Sequence, residues 1–203
     1  MSRIRQHGDA GQAFPIYLTV VGGLLFLALA YLAVGQAGAN RNGAQTAADA
    51  AALAAAQDWR DQLAGQWVEN VADPESWQDI FDGLGQGLTP SCWRAEQLAA
   101  QNGAALDACT PVGPLEYTVE VTAEDSVGES IVPGTENVHA RAVATAVVEP
   151  RCTFEPPGPD ADADDETLPG LTCDGGEEWE VDPDDPTGLP EPRDLFDVHL
   201  TDA

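Results

Sequence analysis

The longest apolar run in the chain lies close to its N-terminus. Residues 10–40 carry no charged side chain. The apolar part, Ala13 to Val34, spans about 22 residues, which is about 33 Å of helix at about 1.5 Å per residue. That length is enough to cross the hydrocarbon core of a bilayer. The pattern predicts a transmembrane helix over residues 13–39, after a cytoplasmic segment over residues 1–12.

A cleavable signal peptide is the alternative interpretation of the same run. Ala37-Gly38-Ala39 offers the small residues of a signal-peptidase site. Against cleavage, the apolar run is long for a signal core, and the sequence beyond Ala39 keeps a helical pattern. We therefore favour a retained anchor.

The helical pattern continues as an alanine-rich segment over residues 40–72. Its larger apolar residues recur at spacings of three and four, which is typical of one helix face (Ala52, Ala56, Trp59, Leu63 and Trp67). We expect a stalk that continues the membrane helix, with Asn42-Gly43 as the place for a break. The stripe would pack on the outer domain or on neighbouring copies, and packing within the chain is the safer interpretation. The candidate packing residues are Ala44, Ala48, Ala52, Leu53 and Ala56.

Two short helices are predicted next, at the start of a small domain over residues 73–152. Asp73-Pro74 suits the beginning of a helix with Trp77, Ile80 and Phe81 turned inward. Thr89-Pro90 repeats the signal for a helix that runs to Gln101, and Asn102-Gly103 is a typical stop.

The same domain contains two predicted strands. Apolar and polar residues alternate from Leu115 to Thr122, which is the pattern of a half-buried strand. A second strand is predicted from Val138 to Val148, and an antiparallel pair is the natural arrangement. A helix is the alternative for this segment because it contains four alanines, but its valines favour a strand. The fold class is therefore α+β.

The C-terminal part, residues 153–203, has a different composition. Residues 155–194 are mostly Asp, Glu, Pro and Gly with scattered apolar side chains. Such a segment buries too little apolar surface to offset its ordering entropy, so we expect an acidic, largely disordered tail. Leu195, Phe196, Val198 and Leu200 suggest a terminal strand.

Charge is distributed unevenly along the chain. The formal net charge is −27, and every one of the eight basic residues is arginine. Arg3 and Arg5 precede the apolar run, so the positive-inside tendency places the N-terminus in the cytoplasm and the bulk outside a bacterial cell membrane. The acidic bulk excludes nucleic-acid binding, should stand away from anionic lipid, and could attract divalent cations weakly.

All four cysteines (Cys92, Cys109, Cys152 and Cys173) follow the apolar run. An even number outside the cytoplasm favours two disulfides, with three connectivities open, and nearest-neighbour pairing closes the shortest loops. Zinc is disfavoured because no pair has CxxC spacing.

No catalytic constellation is evident. Without lysine there is no Walker A motif, and Gly128-Glu129-Ser130 lacks the second glycine of a nucleophile elbow. Asp160, Asp162 and Asp164 match the first ligand spacing of an EF-hand loop, but the required Gly and Glu are absent. We expect no enzyme activity, no cofactor and no defined metal site.

The N-terminal region resembles the TadE/TadG-like proteins of bacterial Tad (Flp) pilus assembly systems. The resemblance lies in Gly11-Gln12-Ala13 before the membrane segment and in the run Asn42–Ala56, NGAQTAADAAALAAA. Further on, Gln97–Leu106, then Cys109 and the strand Tyr117–Val121, are similar to the small TadE-like members.

The resemblance implies a pseudopilin-like, non-catalytic membrane protein that assembles with other pilus proteins by helix packing. Processed members carry Glu at the fifth position after the cleaved Gly, whereas cleavage after Gly11 would put Ile16 there. An unprocessed anchor is therefore expected. The rival hypothesis is a secreted or anchored acidic protein that binds cations or a basic envelope partner.

Overall fold

The computed structural model describes residues 13–126, 137–156, 168–185 and 187–201. In chain order its elements are α1 (Ala13–Glu69), α2 (Pro74–Phe81), α3 (Cys92–Gln101), β1 (Ala104–Pro111), β2 (Glu116–Ser126), β3 (His139–Pro150), β4 (Cys152–Phe154), β5 (Leu171–Cys173), β6 (Glu177–Trp179), α4 (Pro192–Leu195) and β7 (Phe196–Leu200). A long apolar helix joined to a small antiparallel domain confirms the α+β class.

Helix α1 is unbroken over 57 residues, which is about 85 Å at about 1.5 Å per residue. No proline occurs between Pro15 and Pro74, and most residues between them are good helix formers. The expected break at Asn42-Gly43 is absent, because a single helix-interior glycine costs only about 1 kcal/mol. The apolar segment and the alanine-rich segment therefore form one continuous rod.

The main sheet has four antiparallel strands in the order β1-β2-β3-β7. In the central pair, Tyr117 lies opposite Ala146 and Val121 opposite Ala142. These residues are buried, whereas the alternate positions of both strands are more exposed. The alternation that predicts β2 and β3 thus marks the face of the sheet that carries the core.

The C-terminal half of α1 is itself part of that core. It packs against β2 and β3 on one side and against α3 on another. Its alanines are almost completely buried (Ala44, Ala47, Ala48, Ala51, Ala52, Ala55 and Ala56). Because small side chains face small side chains on β3, the helix can lie close to the sheet. The segment expected to be a separate stalk is the central element of the domain.

Helices α2 and α3 begin and end close to the predicted positions. Asp73 is the N-cap of α2, Pro74 occupies its first turn, and Trp77, Ile80 and Phe81 are buried. Helix α3 ends before Asn102, and Gly103 takes a positive φ of 69° that suits a glycine after a helix.

Strand β1 was not predicted. It pairs with β2 and contains an irregularity between Leu106 and Ala108, which interrupts the alternation of buried and exposed residues. Its sequence therefore shows only a weak strand pattern. The Cys92–Cys109 disulfide ties it to α3.

The C-terminal part of the chain is more ordered than its composition predicts. Strands β4, β5 and β6 form a second, three-stranded sheet, and β7 is an edge strand of the main sheet. This differs from the expectation of a largely disordered tail over residues 153–203, although residues 157–167 lie outside the described residues. The predicted terminal strand is present as β7, with Leu195 in α4.

Aromatic contacts explain how so acidic a segment is held. Phe154 on β4 lies 5.2 Å from Trp77 and 6.0 Å from Phe81, between ring centroids. Phe81 in turn lies 5.3 Å from Phe196, which is fully buried. A few apolar residues, placed where α2 and the end of α1 meet them, thus compensate for a polar composition.

Candidate functional site

The N-terminal half of α1 is the most unusual surface of the molecule. Its large apolar side chains stand free of the folded domain; Phe26 is 71% and Tyr31 is 80% exposed. The helix is long and apolar enough to cross a membrane, and none of its most apolar stretch is buried. In water such a surface would be strongly unfavourable, so it requires lipid or other apolar partners.

The change from exposed to buried occurs within ten residues of α1. Val34 is 74% exposed, whereas Ala44 is completely buried. Between them, Asn40 Nδ2 donates a 2.7 Å hydrogen bond to the carbonyl oxygen of Ser126, at the end of β2. Gln45 Nε2 donates a second one, at 3.3 Å, to the carbonyl oxygen of Val143. The folded domain therefore begins at Asn40, with no linker after the apolar half.

Further along, polar side chains fix α1 to the other end of the domain. Trp59 Nε1 donates a 2.8 Å hydrogen bond to the carbonyl oxygen of Pro114. The amide of Gln62 accepts from the backbone N–H of Thr89 at 2.9 Å and donates to Ser91 Oγ at 3.1 Å. The strands near α1 therefore run along the helix, with their Ser126 end nearest the apolar half.

The packing residues predicted from sequence lie inside the domain. Ala44, Ala48, Ala52 and Ala56 have no exposed surface, and Leu53 is partly buried. The sheet and α3 pack against this part of α1, which agrees with packing within the chain as the safer of the two interpretations. Small residues that remain accessible at the outer end of the apolar half of α1 include Gly35, Ala37 and Ala39.

The four cysteines form two disulfides, Cys92–Cys109 and Cys152–Cys173, which is the nearest-neighbour pairing. Cys152 and Cys173 are direct partners in the register of β4 and β5. Disulfides persist in oxidising compartments, so the domain suits the outside of the cytoplasm.

Few side chains in the described parts of the chain have perturbed chemistry. Burial raises the pKa of Tyr117, whose hydroxyl accepts a hydrogen bond from the backbone N–H of Ser91. Among the residues of known placement, no three His, Cys, Asp or Glu side chains come together as metal ligands. Gly11 and the acidic triplet Asp160, Asp162 and Asp164 lie outside the described residues.

Sequence reasoning missed the polar residues that join α1 to the domain, Asn40, Gln45 and Gln62. Their signal was present, since each interrupts an apolar or alanine-rich stretch of helix. Nothing local, however, identifies their partners, which lie 86, 98 and 27 residues away.

Comparison with known proteins gives one result. No curated protein and no solved structure matches the chain. Residues 11–58 match the family Tad, described as "Putative Flp pilus-assembly TadE/G-like", which is the family that the sequence resembles.

Proposed function

We propose that this protein is a non-catalytic, single-pass membrane component of a Tad/Flp-like pilus assembly or secretion system. Its N-terminus lies in the cytoplasm and its folded domain lies outside. The family match supports the system, and the exposed apolar half of α1 supports the membrane anchor.

The observation that carries this proposal is the continuity of α1. The matched residues cover the exposed apolar half and the buried alanine-rich half, and they stop just before Trp59. One helix therefore serves as an anchor at one end and as core at the other. A domain built in this way has a fixed orientation relative to its membrane segment.

Chemistry on both sides of the apolar run supports the orientation. Arg3 and Arg5 precede it, whereas both disulfides follow it. Positive charge favours the cytoplasmic side and disulfides favour an oxidising side.

Contacts with other pilus proteins are assigned to the exposed half of α1. Its outer end carries the accessible small residues Gly35, Ala37 and Ala39, which permit close approach of another helix. The buried alanines instead pack against the sheet.

Carbonate extraction of membranes, followed by protease treatment of spheroplasts, tests the anchor and its orientation together. We expect the full chain to stay in the membrane pellet and the domain to become accessible from outside. Leu24→Arg with Leu25→Arg should release the protein, because arginine at a bilayer centre costs about 2.5–3.5 kcal/mol on insertion scales. The matched control, Gln57→Arg with Val68→Arg, adds the same charge to partly or fully exposed positions in the domain and should stay in the pellet. Extraction of the unaltered protein would overturn the proposal.

A further inference from the structure

The position of the domain on α1 places one of its surfaces against the lipid headgroups. From Val34 to Arg41 the helix rises about 10 Å. The headgroup layer on each side of a bilayer is about 5–8 Å thick. Since no linker intervenes, the end of the domain that contains Asn40 and Ser126 lies at the outer face of this layer. This step rests on the anchor under the proposed function.

A cavity of about 430 Å³ opens at this end of the domain, between α1 and the uncovered part of β3. Strand β7 pairs with β3 only from Ala146 onward, and the backbone N–H of Thr201 adds a bond to the carbonyl oxygen of Thr145. The earlier residues of β3 are therefore not paired with β7. The described residues that line the cavity supply two guanidinium groups and two side-chain amides and include no carboxylate (Arg41, Asn42, Gln45, Arg141, Ala142 and Val143).

The two arginines of this cavity differ from the other arginines that the structure describes. Three of those form ion pairs and a fourth lies over an aromatic ring (Arg60–Asp61, Arg151–Asp174, Arg193–Glu191, and Arg94 over Trp93). Arg41 and Arg141 have no ion pair with any described carboxylate, and both are exposed. In a chain of net charge −27, two such cations at one cavity are suited to an anionic partner.

We propose that this cavity binds the phosphate of an anionic phospholipid headgroup in the leaflet where α1 leaves the bilayer. Guanidinium groups bind phosphate oxygens through paired, charge-assisted hydrogen bonds, and the amide of Asn42 adds a neutral donor. The amide nitrogen of Gln45 already donates to the Asp49 carboxylate and to the carbonyl oxygen of Val143, so it lines the cavity without serving as a donor for the phosphate. Glu124 and Asp125 are exposed at the same end of the sheet but do not line the cavity. Binding of the headgroup therefore depends on the charges at this cavity, although the acidic composition of the whole chain predicts repulsion from anionic lipid.

Native mass spectrometry of the full chain, released from detergent with added lipid, tests the proposal. The probes are phosphatidylglycerol and phosphatidylcholine. The test variant is Arg41→Gln with Arg141→Gln, and the matched control is Arg94→Gln with Arg193→Gln, which removes the same charge elsewhere. Each arginine near an anionic lipid surface raises the affinity for that lipid by about a factor of five. The unaltered protein and the control should retain phosphatidylglycerol over phosphatidylcholine by roughly 25-fold, and the test variant should show no preference.

Flotation with phosphatidylcholine vesicles separates failure of this proposal from failure of the anchor. All three proteins should float, because α1 alone holds them in neutral lipid. Floating protein without lipid preference, or an equal loss in both double variants, would overturn the headgroup site and leave the anchor intact. Protein that does not float would overturn both. Displacement of the lipid by millimolar inorganic phosphate would overturn the assignment to a lipid.

Discussion

The indole N–H of Trp59, on α1, donates a hydrogen bond to the carbonyl oxygen of Pro114, just before β2. The same ring meets Tyr117 edge-on at 5.9 Å. Together with the bond from Asn40 to Ser126 at the opposite end of β2, this contact fastens the helix along the whole strand. The alanine-rich half of α1 is thus a structural part of the domain, which changes what its substitutions should do.

Enlarging the buried alanines should destabilise the domain. Ala48→Leu and Ala52→Leu would each insert three carbons where no exposed surface remains, at a typical cost of about 1–3 kcal/mol. Urea unfolding followed by tryptophan fluorescence measures the loss. The control is Ala50→Leu, which is only partly buried and should cost much less. Equal stability of all three variants would mean that the helix does not pack on the sheet.

Two glycines should respond to alanine with opposite signs. Gly65 lies in α1 with nothing within 4 Å of an added Cβ, so Gly65→Ala should stabilise the domain by about 0.5–1 kcal/mol. Gly83 has a φ of +75°, and its Cβ would lie 2.7 Å from the carbonyl oxygen of Pro114. Gly83→Ala should destabilise it by at least about 1–2 kcal/mol. Thermal unfolding measures the change in stability of both variants. A change in the same direction for both would contradict the described turn at Gly83.

Removing the second disulfide tests the order of the acidic C-terminal part. The Cys152–Cys173 bond closes a loop with a sequence separation of 21, and its loss should cost about 3 kcal/mol. Cys152→Ala with Cys173→Ala should also speed hydrogen exchange of the backbone amides in β5 and β6. Cys92→Ala with Cys109→Ala is the control, because it should leave those amides protected. Rapid exchange already in the unaltered protein would support a disordered tail instead.

The buried hydroxyl of Tyr117 should make the domain sensitive to alkali. Burial raises its pKa in the folded protein, while the unfolded value is about 10. The folded state then binds more protons above pH 10, so the free energy of unfolding should fall as pH rises from there to the folded pKa. Tyr117→Phe should flatten that decline in urea titrations at several pH values. An unchanged slope would show that another group titrates.

Local patterns predicted those elements whose evidence is local. Trp77, Ile80 and Phe81 on α2, and the alternation around Tyr117 on β2, were recognisable because period and burial agree. Strands of three residues, such as β4 and β5, are too short to show a period. Their order depends on the Cys152–Cys173 bond and on the distant rings that Phe154 meets, which no local window contains.

The candidate site shows the same limit of local patterns, because such patterns do not identify packing partners. An alanine-rich face looks alike whether its partner is another chain or a sheet later in the same chain. The sequence therefore predicts that Ala48 and Ala52 are packed, without identifying the β3 alanines, Ala142 to Ala146, as part of the surface that covers them. The net charge is equally incomplete as a guide, because it does not reveal that Arg41 and Arg141 lie at the same cavity.

An intact mass of the protein isolated from cell membranes tests the central claim most directly. If α1 is a retained anchor continuous with the domain, the mass will include residues 13–39 and will lack only the hydrogens lost in forming two disulfides. A soluble protein that begins at Asn40 would contradict the account, because the domain would then exist without its membrane segment.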